Sequence, residues 1–122
     1  MENVQVQTAS DLFDLSMLEE MDDTEYLLEM LTILLLESPK DFKEMKEALQ
    51  TGKIDVVCKK AHKLKSSAGA IQADKLAAML DAIEVNGKSG AAAAEISALV
   101  DAAAQQYNQI EKALNIYVDE LK

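Results

Sequence analysis

The sequence predicts an all-α protein, an antiparallel up-down four-helix bundle with a short N-terminal helix packed across one end. The composition is typical of helices: 49% of the 122 residues are hydrophobic, only 4% are aromatic, and there is one proline. Apolar residues recur at helical spacing in successive segments, with no strand-like alternation. The length suits one domain with a real core. We expect residues 1–8 to form a flexible tail and residues 9–122 to form this domain.

The first two helices are predicted from their caps and apolar spacing. The first begins at Ser10, a good N-cap residue, and ends near Glu20 as a lid on the bundle. Asp23 or Thr24 caps the second, which runs to about Gln50.

Pro39 interrupts the apolar stripe of the second helix, which resumes at once with Phe42 and Met45. Proline removes a backbone donor and clashes with the preceding turn, so the helix must kink or restart there. We expect one kinked helix or two nearly collinear ones.

The third helix follows Gly52, a residue that tolerates the left-handed conformation at a helix C-terminus. Asp55 is predicted to cap this helix, because its carboxylate would meet the positive end of the helix dipole. The helix is expected to run to about Ala68, and residues 69–72 form the next corner.

The fourth helix is expected from about Asp74 to Val85, before a loop at 86–90 that is rich in turn formers. The last helix, from about Ala91 to Leu121, spans roughly 45 Å at about 1.5 Å per residue. It is longer than the third, so its end projects past the bundle or packs against the first helix. A closed bundle predicts a monomer, with dimerisation through this helix as the alternative.

The net charge and the cysteine content limit which binding partners and which cellular compartment are expected. The net charge of −10 disfavours nucleic acid and anionic membrane surfaces, since both would repel this protein. The single Cys58 cannot form an internal disulfide, and residues 1–7 lack the features of a signal peptide. The longest apolar stretch, 30–36, is too short to span a bilayer. These features predict a soluble cytoplasmic protein.

His62, the only histidine, lies beside the apolar stripe of the third helix. Residues three, four and seven positions apart share a helix face, so four side chains accompany the imidazole: Cys58, Lys65, Ser66 and Gly69. The apolar stripe is about one residue out of phase and consists of Val57, Ala61, Leu64 and Ala68. The imidazole is therefore predicted to point toward water, where a large partner can reach it.

This stretch resembles the histidine-containing phosphotransfer (HPt) domain. The resemblance is carried by Ala-His-Lys-Leu-Lys-Ser-Ser-Ala-Gly-Ala at 61–70, by Asp55 seven residues before His62, and by Ala-x-x-Leu-x-x-x-Leu-x-x-Ile-Glu at 73–84. In helix order it covers the chain from about Asp23 to about Leu121. The sequence departs from the family at Ser66 and Gln72, where many members have glycine.

Phosphoryl transfer at His62 is chemically reasonable, because a neutral imidazole nitrogen is a competent nucleophile near neutral pH. Lys65, one turn on, is the candidate to neutralise phosphoryl oxygens, and Lys59 adds positive potential. Ser66 and Gly69 keep the approach open. We include Gln72, at the corner that follows, among the candidate binding residues.

The chain lacks the glycine-rich loops of nucleotide-binding folds, so it is not expected to use ATP or to be an enzyme in its own right. The resemblance implies that the phosphoryl group comes from a receiver-domain aspartate of a hybrid sensor kinase and passes to the receiver aspartate of a response regulator. No cofactor is expected, because Mg²⁺ would belong to the receiver.

The alternative is a helical adaptor that docks receiver domains without being phosphorylated. Met1 and the short tails favour a complete protein over a domain cut from a larger kinase.

Other side chains receive plainer interpretations. Cys58 and His62 at i, i+4 are an improbable zinc site because no other histidine or cysteine is present, so no metal is expected. The six methionines are interpreted as core filler. The carboxylates are interpreted as solvated, with no acid/base pair distinguished by spacing.

Overall fold

The structure, a computed structural model, describes residues 9–122, with side chains described from Asp11 onward. The flexible tail predicted at 1–8 lies outside the described residues, whereas the prediction of Ser10 as an N-cap is wrong, because the first helix already begins at Ala9 and includes Ser10. The described residues form six helices: α1 Ala9–Leu12, α2 Ser16–Glu20, α3 Thr24–Gln50, α4 Ile54–Ala70, α5 Asp74–Lys88 and α6 Ala93–Leu121. Within residues 9–122, no helix is both long enough and apolar enough to cross a membrane.

The four long helices α3 to α6 form the bundle, which confirms the predicted fold class. Each packs on two neighbours, α3 and α5 both lying against α4 and α6. Connections at 51–53, 71–73 and 89–92 are short, so successive helices run antiparallel. The apolar stripes meet in one core, whose largest fully buried side chains include Leu31, Met45, Leu80, Ile83, Ile96, Ile110 and Leu114.

The N-terminal lid is two short helices, and the single helix predicted to about Glu20 is wrong. The chain breaks at Asp14, whose backbone N–H donates to the carbonyl of Ile71 at 2.9 Å. The Asp14 carboxylate accepts the N–H of Ser16 at 2.9 Å and so starts α2 afresh. Three side chains of this segment are buried in the core: Leu12, Phe13 and Leu15. The segment closes the bundle end by tying itself to the α4–α5 corner.

The second predicted helix is one helix, α3, and Pro39 lies inside it. Asp23 caps it as predicted, because its carboxylate accepts the Tyr26 N–H at 3.0 Å. Gly52 follows its end with φ +74, which confirms the left-handed conformation expected there.

The start of α4 differs from the prediction, and its end at Ala70 lies two residues past the predicted end near Ala68. Asp55 is not the N-cap: the carbonyl of Lys53 already accepts the N–H groups of Val56 and Val57, so α4 begins at Ile54. Asp55 lies in the first turn, where its carboxylate still meets the positive end of the dipole.

The helix α5 runs through Lys88, three residues past the predicted end at Val85, and Gly87 lies within it where α5 packs on α4. A Cβ at Gly87 would lie 2.5 Å from the Cys58 sulfur, so only glycine lets α5 approach α4 this closely. The predicted loop therefore shrinks to the residues around Gly90, whose φ is +81.

The helix α6 keeps the predicted seam and packs against the N-terminal segment, one of the two arrangements expected for its end. Tyr117 donates its hydroxyl hydrogen to the Glu19 carboxylate at 2.7 Å. Contacts with α1 complete this junction. The methionine prediction holds only in part, since Met45 is fully buried whereas Met17 and Met21 are 65% and 57% exposed.

The packing of the core predicts that replacing two isoleucines of α6 by alanine will have very different effects on the free energy of unfolding. Ile110 is fully buried and Ile116 is 62% exposed. Ile110→Ala should lower the free energy of unfolding by about 2–5 kcal/mol, because it removes buried methylenes and leaves a cavity. Ile116→Ala should change it by no more than about 0.5 kcal/mol. Urea unfolding followed by circular dichroism measures both, and equal losses would contradict this assignment of the core.

Candidate functional site

His62 lies near the middle of α4 with 63% of its side chain exposed, as the sequence predicted. The reason is the phase of the helix. The apolar stripe of α4 turns fully into the core, with its members Val57, Ala61, Leu64 and Ala68 all buried. The imidazole therefore stands at the edge of this stripe, with its ring beside α5.

The imidazole is held from α5 by Glu84. Its Nδ1 lies 3.2 Å from Glu84 Oε2 and 3.3 Å from Oε1. Two lysines contact the same carboxylate: Lys65 Nζ lies 3.0 Å from Oε1, and Lys88 Nζ lies 3.0 Å from Oε2. These four residues, His62, Lys65, Glu84 and Lys88, are called the Glu84 cluster below.

The two lysines keep Glu84 ionised. Hydrogen bonds from Lys65 and Lys88 lower the pKa of the Glu84 carboxyl to about 2, against the effect of its burial. An ionised carboxylate only accepts, so the proton shared with His62 must reside on Nδ1. The lone pair of the neutral ring is then on Nε2. The Glu84 cluster therefore fixes which imidazole nitrogen can act as a nucleophile.

Lys65, the predicted partner of an incoming phosphoryl group, is already paired. Its ammonium donates to Asp81 and Glu84, each at 3.0 Å, and these hydrogen bonds raise the pKa of the Lys65 ammonium. Only 30% of its side chain is exposed. An anion at His62 must therefore draw this lysine away from carboxylates.

A second carboxylate, Asp41 on α3, is buried on the other side of α4. It accepts from Lys60 at 3.2 Å and from Lys63 at 3.1 Å. Hydrogen bonds to α3 carboxylates raise the pKa of both ammonium groups. These pairs fix α4 against α3. The interpretation of the carboxylates as solvated holds for most of them but is wrong for Asp41 and Glu84, which are buried.

The remaining predicted site residues lie on or just beyond the same helix. Lys59 and Gly69 are exposed on α4, and a Cβ at Gly69 would meet nothing within 4 Å. The Ser66 hydroxyl donates to the His62 carbonyl at 3.3 Å, so it adds little bulk beside the ring. Gln72 adopts φ +51 at the α4–α5 corner and donates to the Met17 sulfur at 2.9 Å. The structure therefore gathers His62 and Lys65 in one cluster and places Gln72 at the bundle end.

A groove between α3 and α4 runs beside this helix. Its apolar lining includes Met30, Ile33, Leu34 and Ala70, with Ser67 on the α4 side. Ile33 is 50% exposed, and Leu36 on the same helix is 61% exposed. The groove thus presents an exposed apolar side chain, Ile33, beside α4.

The sequence interpretation missed Glu84 and Lys88. The motif at 73–84 ends on Glu84, and a glutamate four residues before a lysine is a recognisable helical pair. The predicted end of the helix at Val85 hid that pair. Within residues 9–122, no group of three or more histidine, cysteine, aspartate or glutamate side chains could hold a metal ion.

Comparison with known protein families gives one finding. A family model described as Hpt domain matches residues 29–115, a range that includes the Glu84 cluster and most of the bundle. No curated protein and no solved structure gives a significant match.

The lowered pKa of Glu84 predicts an acid-dependent loss of stability. A depressed carboxyl pKa contributes stability above the unfolded value of 4.5, and that contribution is lost as the pH falls toward about 2. Glu84→Gln should therefore lower the melting temperature at about pH 7, and the difference from wild type should shrink steadily below about pH 4.5.

Thermal unfolding followed by circular dichroism at a series of pH values tests this prediction. Glu29→Gln is the matched control, because Glu29 is exposed on α3 and forms no ion pair with a described residue. Its effect should be small at every pH. A Glu84→Gln difference that stays constant down to about pH 2.5 would count against the ion pairs of the Glu84 cluster.

Proposed function

The chain belongs to the Hpt domain family, whose role is histidine phosphotransfer in phosphorelays, and from this premise we propose that His62 is its phosphoacceptor. The observation that carries the proposal is the exposure of the imidazole together with its hydrogen bond to Glu84. It is exposed, on a rigid helix, and held through Nδ1 by an ionised carboxylate, so that Nε2 is the nucleophilic atom. No other histidine is available in the sequence.

The transfer begins with attack of the Nε2 lone pair on the phosphorus of an aspartyl phosphate. The P–N bond forms, the P–O bond breaks, and its electron pair returns to the aspartate carboxylate. The ring, which keeps its Nδ1 proton, becomes a positively charged phosphoimidazolium. Glu84 accepts that proton's hydrogen bond and offsets the charge. In the second transfer the P–N bond breaks and a neutral imidazole leaves.

Lys65 is the residue best placed to meet the phosphoryl oxygens. It lies one helical turn after His62, and its ammonium already lies beside the imidazole's partner Glu84. Positioning and charge neutralisation matter most in a loose phosphoryl transition state. Lys59, exposed one turn before His62, adds positive potential on the approach side.

The donor and the acceptor are other proteins in this proposal. The sequence has no phosphate-binding loop for ATP, so the protein is a carrier between the receiver domain of a hybrid sensor kinase and that of a response regulator. Mg²⁺ would be supplied by the receiver, and no cofactor is assigned to this chain. The carrier would work as a monomer in the cytoplasm.

The docking surface in this proposal is the exposed face of α4 together with the α3/α4 groove. Ile33, which lines this groove, and Leu36, exposed three residues further along α3, would exclude water around the transfer site. Despite the protein's net charge of −10, α4 presents several lysines, which complement the acidic pocket expected of a receiver.

Phosphoryl transfer from a panel of phosphorylated receiver domains tests the function. Wild-type protein should gain a label that is labile in acid and stable in base, as expected for a phosphohistidine, and His62→Gln should gain none. Lys65→Gln should slow labelling roughly tenfold or more, the effect of losing a charge-assisted hydrogen bond. Circular dichroism of each variant checks that the fold is kept. A receiver that binds without labelling the wild type would instead support the adaptor function.

The proposed docking surface predicts that a substitution within it will impair transfer from a receiver domain but not labelling by a small phosphoryl donor. Ile33→Ser should reduce transfer from a receiver roughly three- to tenfold by removing an apolar contact. It should leave labelling by the small donor phosphoramidate unchanged, because that reaction needs no docking. Ile116→Ser, an equally exposed isoleucine on α6, is the matched control and should transfer normally. Equal losses in the two variants would contradict the assigned surface.

A further inference from the structure

Lys88 has no place in the transfer steps above, although it contacts the carboxylate that holds the phosphoacceptor. Resting on the proposed function, we propose that Lys88 is a positioning residue. It keeps Glu84 ionised and in place beside His62 while Lys65 turns from Glu84 to the phosphoryl group.

The geometry separates the two lysines. Lys65 contacts Oε1 of Glu84 from α4, the helix that carries His62, at 3.0 Å. Lys88 contacts the other oxygen, Oε2, at 3.0 Å from within α5, one turn after Glu84. One ammonium can therefore leave without disturbing the contact of the other. Lys88 can keep its contact with Glu84 without any movement of α4.

Burial explains why a second cation is needed. The Glu84 side chain is only 11% exposed, whereas Lys88 is 68% exposed. A poorly solvated carboxylate that loses its only cation is strongly disfavoured. With Lys65 as the only partner, drawing it to a phosphoryl group would leave Glu84 uncompensated, and Lys65 would stay where it is. Lys88 removes that penalty.

The same contact bears on the phosphorylated ring. Glu84 offers Nδ1–H a negatively charged acceptor only while it is ionised and in place. If Glu84 took up a proton or turned away, the Nδ1 proton of the phosphoimidazolium would lose that charged partner and would be lost more readily. A ring without that proton leaves as an anion, which makes it a poor phosphoryl donor. Lys88 thereby supports both arrival and departure of the phosphoryl group.

Labelling by phosphoramidate, followed by ³¹P NMR, tests the proposal without a docking partner. Lys88→Gln should slow the initial rate of phosphohistidine formation roughly three- to tenfold. Lys88→Arg, which keeps a cation, should restore most of the rate. Lys75→Gln is the matched control: it removes the same charge from an exposed position of α5 that forms no ion pair with a described residue. It should react within about twofold of wild type.

A double-mutant cycle with Glu84 distinguishes this role from a general one. If Lys88 acts only through Glu84, Lys88→Gln should have little further effect in the Glu84→Gln background, within about twofold. Independent, multiplicative losses would overturn the proposal, as would a loss in Lys75→Gln equal to that in Lys88→Gln. An unlabelled wild type would overturn the carrier function itself and this role with it, an outcome distinct from a labelled wild type with independent losses.

Discussion

The hydrogen bond between Glu84 and His62 is the contact on which the rest of the site depends. It joins α5 to α4 at the exposed edge of the core and places the proton on Nδ1. The nitrogen that keeps the lone pair of the neutral ring follows from this carboxylate, which also holds Lys65 together with Asp81. Its low pKa, caused by two lysines, makes the arrangement stable across the physiological pH range.

The bundle supplies the rigidity that such a contact requires. The α4 stripe is fully buried, Asp41 and its lysines fix α4 to α3, and Gly87 lets α5 lie close beside Cys58. The imidazole can therefore be exposed to a partner without being free to turn. A small all-helical domain thus presents the exposed His62 on a fixed face, which suits the carrier role proposed for this member of the Hpt domain family.

The overall net charge of the protein differs from the local arrangement of charges around its buried carboxylates. The protein carries a net charge of −10, yet two of its carboxylates, Asp41 and Glu84, are buried and each is met by two lysines. A buried carboxylate that loses its cationic partners is strongly destabilising, so Asp41 and Glu84 need lysines that stay paired with them. The proposed roles of Lys65 and Lys88 follow from this requirement, since an incoming phosphoryl group competes for cations that are already in use.

The sequence by itself determined the helices, the phase of α4 and the exposed His62, because helical periodicity and strong caps such as Asp23 are local signals. Its match to the family pattern also indicated the chemistry. It could not determine the partners of Lys65, the burial of Glu84 or the break at Asp14, because each depends on residues far apart in the chain. Asp14 bonds to Ile71, and Glu84 reaches His62 only when α5 packs on α4. The tertiary structure alone decided these contacts, since a carboxylate's burial and cation partners are set by which helix faces meet.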